Sequence, residues 1–105
     1  MKERILLVDD DQCVLEFCSC LLSREKYVVT ACSSAAEAMA FMRGGSYDIL
    51  LTDFSLGDGC GADLLAHSKR VAPAARALLM TGDLAQCAAL RKPFSRQELL
   101  SVIAS

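Results

Sequence analysis

The sequence predicts an α/β protein: a doubly wound parallel sheet of about five strands, with helices on both faces. Three observations carry this. Short apolar runs, each about one strand long, alternate with longer stretches whose apolar residues recur at helical spacing. Helix-start signals stand between the runs. The side chains best suited to chemistry fall at the carboxyl ends of the runs, the edge where open α/β sheets bind ligands.

Residues 4–8 form an apolar run that ends in Asp9, Asp10 and Asp11, and they read as a buried strand. Residues 11–26 place Val14, Leu15, Phe17, Cys18, Leu21 and Leu22 at helical spacing, and Asp10 or Asp11 can cap that helix. Residues 27–31 are rich in β-branched side chains and read as a second strand. Ser34 and Glu37 form a capping box that opens an alanine-rich helix, and Gly44 and Gly45 end it. Residues 48–52 are the third strand, and 54–59 a loop holding Gly57 and Gly59. Residues 60–70 read as a helix with Leu64 and Leu65 inward, Pro73 marks a turn, and 77–81 are the fourth strand. Residues 88–91 are a candidate fifth strand. Ser95 and Glu98 form a second capping box before a last helix carrying Leu99, Leu100 and Ile103.

The chain has 105 residues, enough for one core, and no repeat, linker or low-complexity segment divides it. Residues 1–105 therefore read as a single domain. Hydrophobic residues make up 53% and charged residues 23%, which excludes a disordered chain. Net charge is -2 and the Lys and Arg residues are scattered, so no nucleic-acid footprint is expected. No apolar run is long enough to cross a membrane, and the amino terminus lacks a signal-peptide pattern. The six cysteines form no Cys-x-x-Cys pair and His67 is the only histidine. They read as reduced thiols of a cytoplasmic protein, not as a disulfide framework or a zinc site. His67 reads as a surface residue, and Met39, Phe41 and Met42 as helix-face packing.

The acidic residues carry the chemistry. Asp9 and Asp10 end the first strand, Asp53 the third, Thr81 the fourth and Lys92 the candidate fifth. Taken singly, these acids would pass as helix caps or turn residues. Caps do not call for Thr and Lys at matching strand ends. Three carboxylates at one edge repel and need a cation. Oxygen ligands suit Mg²⁺, which takes one or two carboxylates along with water and phosphate oxygens. Asp53 is then a candidate nucleophile for an acyl phosphate, with Lys92 offsetting phosphoryl charge and Thr81 offering a hydroxyl. Residues 53–63 do not have the acid and glycine spacing of an EF-hand.

These motifs resemble the receiver domain of two-component response regulators, the CheY-like superfamily. Ile5-Leu-Leu-Val-Asp9-Asp10-Asp11 is similar to its first strand and acidic pair. Asp48 through Gly61, with Asp53 in Leu51-Thr-Asp53-Phe-Ser55, is similar to its phosphorylation strand and loop. Leu78-Leu-Met-Thr81-Gly82 and Lys92-Pro93-Phe94 are similar to the other two landmarks. The resemblance implies a flavodoxin-like fold. It implies that Asp9 and Asp10 hold Mg²⁺, Asp10 the more direct ligand, together with Asp53 and the Ser55 backbone carbonyl. It implies that Asp53 takes a phosphoryl group from a histidine kinase or histidine phosphotransfer protein. Thr81 would move toward the phosphate, Lys92 would pair with it, and the Lys92–Pro93 bond would be cis. The domain would not be a turnover enzyme: its chemistry would be self-catalysed transfer to Asp53 and slow autodephosphorylation. An aspartyl-phosphate phosphatase would carry an acid where Ser55 stands.

Three departures stand against the family pattern. Gly57 replaces a usual proline. Ala89 replaces a usual aromatic switch residue. Lys92 follows Thr81 by eleven positions, where the family fits a helix and a strand. If the fifth strand ends at Lys92, residues 83–87 remain as connection, and five extended residues span about 17 Å. The fourth helix is thus expected to be missing or reduced to a turn. Three outcomes stay open: a short direct connection, exchange of the segment with a second copy, or a displaced fifth strand that takes Lys92 from the site. Apolar surface left at that face implies a homodimer or a dedicated partner. With no DNA-binding region following Ser105, the reading is a stand-alone regulator, a phosphate relay or a receiver cut from a larger protein. The competing reading is a degenerate receiver acting as a phosphorylation-independent interaction module.

Overall fold

In a computed structural model, residues 3–81, 90–92 and 94–104 are described, without the side chains of Leu90 and Arg91. The chain runs β1 (Arg4–Val8), α1 (Gln12–Arg24), β2 (Val28–Cys32), α2 (Ala35–Met42), β3 (Ile49–Asp53), β4 (Ser55–Leu56), β5 (Gly59–Cys60), α3 (Gly61–Val71), β6 (Arg76–Thr81), β7 (Leu90–Arg91) and α4 (Arg96–Ala104). Five strands make one parallel sheet in the order β2-β1-β3-β6-β7. This is the flavodoxin-like order expected above, and its switch point lies beside β1 and β3.

Strand alternation divides the core in two. Ile5, Leu7, Ile49 and Leu51 pack with Leu15, Cys18 and Leu22 of α1 and Leu99 and Ile103 of α4. Leu6, Val8 and Leu50 point the other way, onto Ala38 and Met42 of α2 and Leu64 of α3. Because both faces are covered, β1 and β3 read as continuous apolar runs. Among the described residues, no helix is long and apolar enough to cross a membrane.

Several local expectations need correction. The loop at 54–59 contains a small antiparallel hairpin, in which Ser55 pairs with Cys60 and Leu56 with Gly59. The first helix stops at Arg24, not 26. Lys26 takes φ 74°, so its amide and that of Tyr27 turn back onto the Ser23 and Leu22 carbonyls. Lysine gives no sequence sign of a left-handed cap. The Ser34 box is only half formed: Ser34 Oγ accepts from the Glu37 amide, but the Glu37 carboxylate turns to the amide and hydroxyl of Ser33. The Ser95 box is complete, with Ser95 and Glu98 bonding reciprocally. Gly44 and Gly45 follow the second helix without positive φ. At Gly45 the need is space, since a Cβ would collide with the Phe41 ring.

The displaced fifth strand is overturned. β7 pairs in parallel with β6 of the same chain, Met80 opposite Leu90 and Thr81 opposite Arg91, and the Lys92 amide donates to the Thr81 carbonyl at 2.7 Å. The path of residues 83–88, the fate of the fourth helix, Ala89 and the Lys92–Pro93 bond lie outside the described residues.

Candidate functional site

Parallel strands bring the carboxyl ends of β1, β3, β6 and β7 to one edge. β1 and β3 run in register with Val8 opposite Thr52, so Asp9 and Asp53 emerge side by side. Ligand oxygens of Asp9, Asp10 and Asp53 lie within 4.8 Å of one another. Thr81, buried at the end of β6, stands one position past Met80, the partner of Asp53.

Lys92 closes the group. Its Nζ lies 2.6 Å from Asp9 Oδ2 and 3.4 Å from Asp53 Oδ1. Asp9 is fully buried, and its other oxygen accepts the Asp11 amide at 2.9 Å. Both Asp9 oxygens are thus engaged, whereas Asp10 is exposed at the rim. Burial raises the Asp53 pKa, the charge of Asp9 adds to the rise, and Lys92 works against it. Burial alone would lower the Lys92 pKa, but the hydrogen bond and charge of Asp9, together with Asp53, outweigh it and hold the ammonium protonated.

The donor set fits a hard divalent cation: carboxylate oxygens on a half-open rim, with no sulfur or imidazole among them. Asp10 and Asp53 have oxygen to spare for it; Asp9 bridges to Lys92.

The loop after Asp53 is fixed at both ends. The Phe54 amide donates to the Met80 carbonyl at 2.8 Å, and the Gly61 amide donates to the Phe54 carbonyl at 2.7 Å. A Cβ on Gly61 would fall 2.1 Å from the Asp53 carbonyl oxygen, so only glycine permits this approach. Ser55, in β4, lies on the exposed side of the loop. Sequence reasoning placed all five strand-end side chains correctly at one edge. It did not anticipate the direct Lys92–Asp9 bond, the closeness required at Gly61, or the bonds from the Asp58 carboxylate to the Ala35 and Ala36 amides.

The fold and this edge define a class, and comparison with known proteins agrees. The response regulator receiver domain family matches residues 5–104. The chain belongs to that family and is a phospho-accepting signalling domain of the two-component type. It is 37% identical over 82 residues to the alginate biosynthesis transcriptional regulatory protein AlgB of Pseudomonas aeruginosa, covering 78% of this chain and 18% of that protein. It is 26% identical to the DNA-binding transcriptional regulator NtrC of Azospirillum brasilense, covering 94% of this chain and 23% of that one. The chain spans about a fifth of the length of these relatives. The NtrC alignment runs to 110 residues, longer than the whole of this chain. Among solved structures, a CheY-like receiver domain from Methanospirillum hungatei superposes with a TM-score of 0.91 at 28% identity, covering 99% of this chain and 92% of that one. The non-phosphorylated HemR receiver domain of Leptospira biflexa gives 0.87 at 30%, covering 98% and 92%.

Proposed function

We propose that Asp53 is the residue that accepts the phosphoryl group, from a phosphohistidine of a histidine kinase or histidine phosphotransfer protein. The observation that carries this is Lys92 Nζ, which lies in reach of both Asp9 and Asp53 at the edge where the ligand oxygens converge. Mg²⁺, bound by Asp10, Asp53 and the Ser55 backbone carbonyl, would offset charge on the transferring group. Asp9 serves this set mainly by holding Lys92. An Asp53 oxygen bonds to phosphorus as the phosphorus–nitrogen bond of the phosphohistidine breaks, and the imidazole nitrogen takes up a proton. Lys92 then moves its charge from Asp9 toward the new phosphoryl oxygens, and the Thr81 hydroxyl donates to one of them.

The chain is read as one cytoplasmic receiver unit over residues 1–105, without a turnover activity of its own beyond slow autodephosphorylation. A phosphorylation-independent interaction module is not favoured, because such a role does not call for a lysine held between the buried Asp9 carboxylate and the partly buried Asp53 carboxylate. Self-association through the face a fourth helix would cover is a further part of the reading, and light scattering across a concentration series tests it. The central experiment is incubation with Mg²⁺ and acetyl phosphate, read by intact mass. Wild type should gain one phosphoryl group and Asp53→Asn none; equal behaviour of the two overturns the assignment.

A further inference from the structure

The tip of the β4–β5 hairpin is tied to a helix far away in sequence. Gly57 and Asp58 form the turn between the paired strands. The Asp58 carboxylate accepts the Ala35 amide on Oδ1 at 2.8 Å and the Ala36 amide on Oδ2 at 3.0 Å. Ala35 and Ala36 are the first two residues of α2, and Ser34 Oγ takes the third amide, that of Glu37, at 3.1 Å. The first three amides of α2 are thus shared between its own cap and an acid from the hairpin. Such amides are orphans of the helix and carry its positive end, so a carboxylate there is well placed. The two backbone bonds lower the Asp58 pKa, which keeps it ionised.

Packing supports the tie. A Cβ on Gly59 would fall 3.1 Å from the Ala35 Cβ, so the hairpin lies close against the first turn of α2. Leu56 is buried beneath, among Ala38, Met42 and Leu64. At the other end, the Gly61 amide fixes the hairpin exit to Phe54. Between these two anchors lies Ser55, next but one to Asp53. Gly57 gives the turn no stiffness of its own: its Cβ position is roomy, with the Asp10 Oδ2 at 3.7 Å as nearest neighbour. The Asp58 bonds tie this turn to α2 across 22 and 23 positions of chain.

We propose that Asp58 is a positioning residue for the phosphoryl site: by its two bonds to the start of α2 it holds the hairpin, and with it the Ser55 backbone, in place two residues after Asp53. This rests on the metal-dependent reading given above. The tie would tighten the cation site without touching the cation.

The test compares Asp58→Ala, Asp58→Asn and Ser34→Ala with wild type. Mg²⁺ binding is read by isothermal titration calorimetry, and exchange of the Leu56 and Gly59 amides by NMR. Ser34→Ala weakens the same helix terminus but leaves the hairpin tie, so it controls for a purely structural effect. Asp58→Ala should weaken Mg²⁺ binding several-fold and speed exchange at Leu56 and Gly59. Asp58→Asn, which keeps one acceptor oxygen, should fall between. Ser34→Ala should bind Mg²⁺ as wild type does. Equal weakening by Ser34→Ala and Asp58→Ala, or wild-type Mg²⁺ binding in Asp58→Ala, overturns the inference alone. Wild type that binds no Mg²⁺ overturns the reading of the site and this inference with it.

Discussion

Lys92 Nζ donates to Asp9 Oδ2 at 2.6 Å, joining residues 83 positions apart across the carboxyl edge of the sheet. Asp9 has no solvent contact, while the Lys92 side chain is 21% exposed. The pair therefore balances a buried negative charge with a cation that reaches the surface. It also leaves Lys92 within 3.4 Å of Asp53, poised between a resting partner and the atom that would receive phosphate.

Lys92→Ala should destabilise the metal-free protein by about 2–4 kcal/mol, because it strands the buried Asp9 carboxylate; partial exposure of Lys92 keeps the loss below that of a fully enclosed pair. Urea unfolding measures it. Mg²⁺ should restore part of the loss, since it supplies charge to the same group of carboxylates. A variant as stable as wild type would show that Asp9 finds another partner.

Asp53→Asn should be more stable than wild type at neutral pH in the absence of metal. The folded-state pKa of Asp53 is raised by burial and by Asp9. The native state thus holds that proton more tightly than the unfolded chain does. The stability this contributes is complete below the ordinary value of 3.8 and is lost as pH rises through the raised value. Asparagine carries no charge, so its advantage should appear above that window and shrink below it. Thermal unfolding between acid and neutral pH checks the crossover.

Gly61→Ala should both destabilise the fold and disable the site. The added Cβ meets the Asp53 carbonyl, a backbone atom that cannot step aside. Overpacking of this kind costs about 1–3 kcal/mol or more. Acetyl phosphate labelling should fall even in the fraction that remains folded by circular dichroism. Normal labelling would mean that α3 moves away without disturbing β3.

The cysteines should separate by reactivity. Cys13 and Cys20 are exposed on α1, whereas Cys18 and Cys32 are buried. Burial pushes the Cys18 thiol up to about 11, and the charge of Asp9 adds to the rise. Iodoacetamide at neutral pH should modify Cys13 and Cys20 in the folded protein and reach Cys18 only on unfolding. Peptide mapping by mass spectrometry reads this directly, and early labelling of Cys18 would indicate that α1 opens.

Much of this was legible from residue types in order. Apolar runs 4–8 and 48–52 announced central strands because both faces are covered, and β1 and β3 occupy nearly those positions. The Ser95 box opened α4 where expected. The five strand-end side chains could be named because parallel strands all point their carboxyl ends one way. The local misses have local causes. A two-residue strand such as Ser55–Leu56 is too short to show a period. The left-handed turn at Lys26 has no glycine to mark it.

By itself the sequence determined the alternation of strands and helices and the set of side chains at the working edge, and its motifs carried the resemblance to the family. The alternation follows from periodicity, and the shared edge from the rule that parallel strands share a direction. The tertiary structure decided which of them touch. That Lys92 bonds Asp9 as well as approaching Asp53, that Gly61 must lack a side chain, and that Asp58 reaches the start of α2 are all contacts between segments remote in the chain. Their distances depend on how sheet, helix and hairpin pack together, and no local pattern of residues encodes that packing.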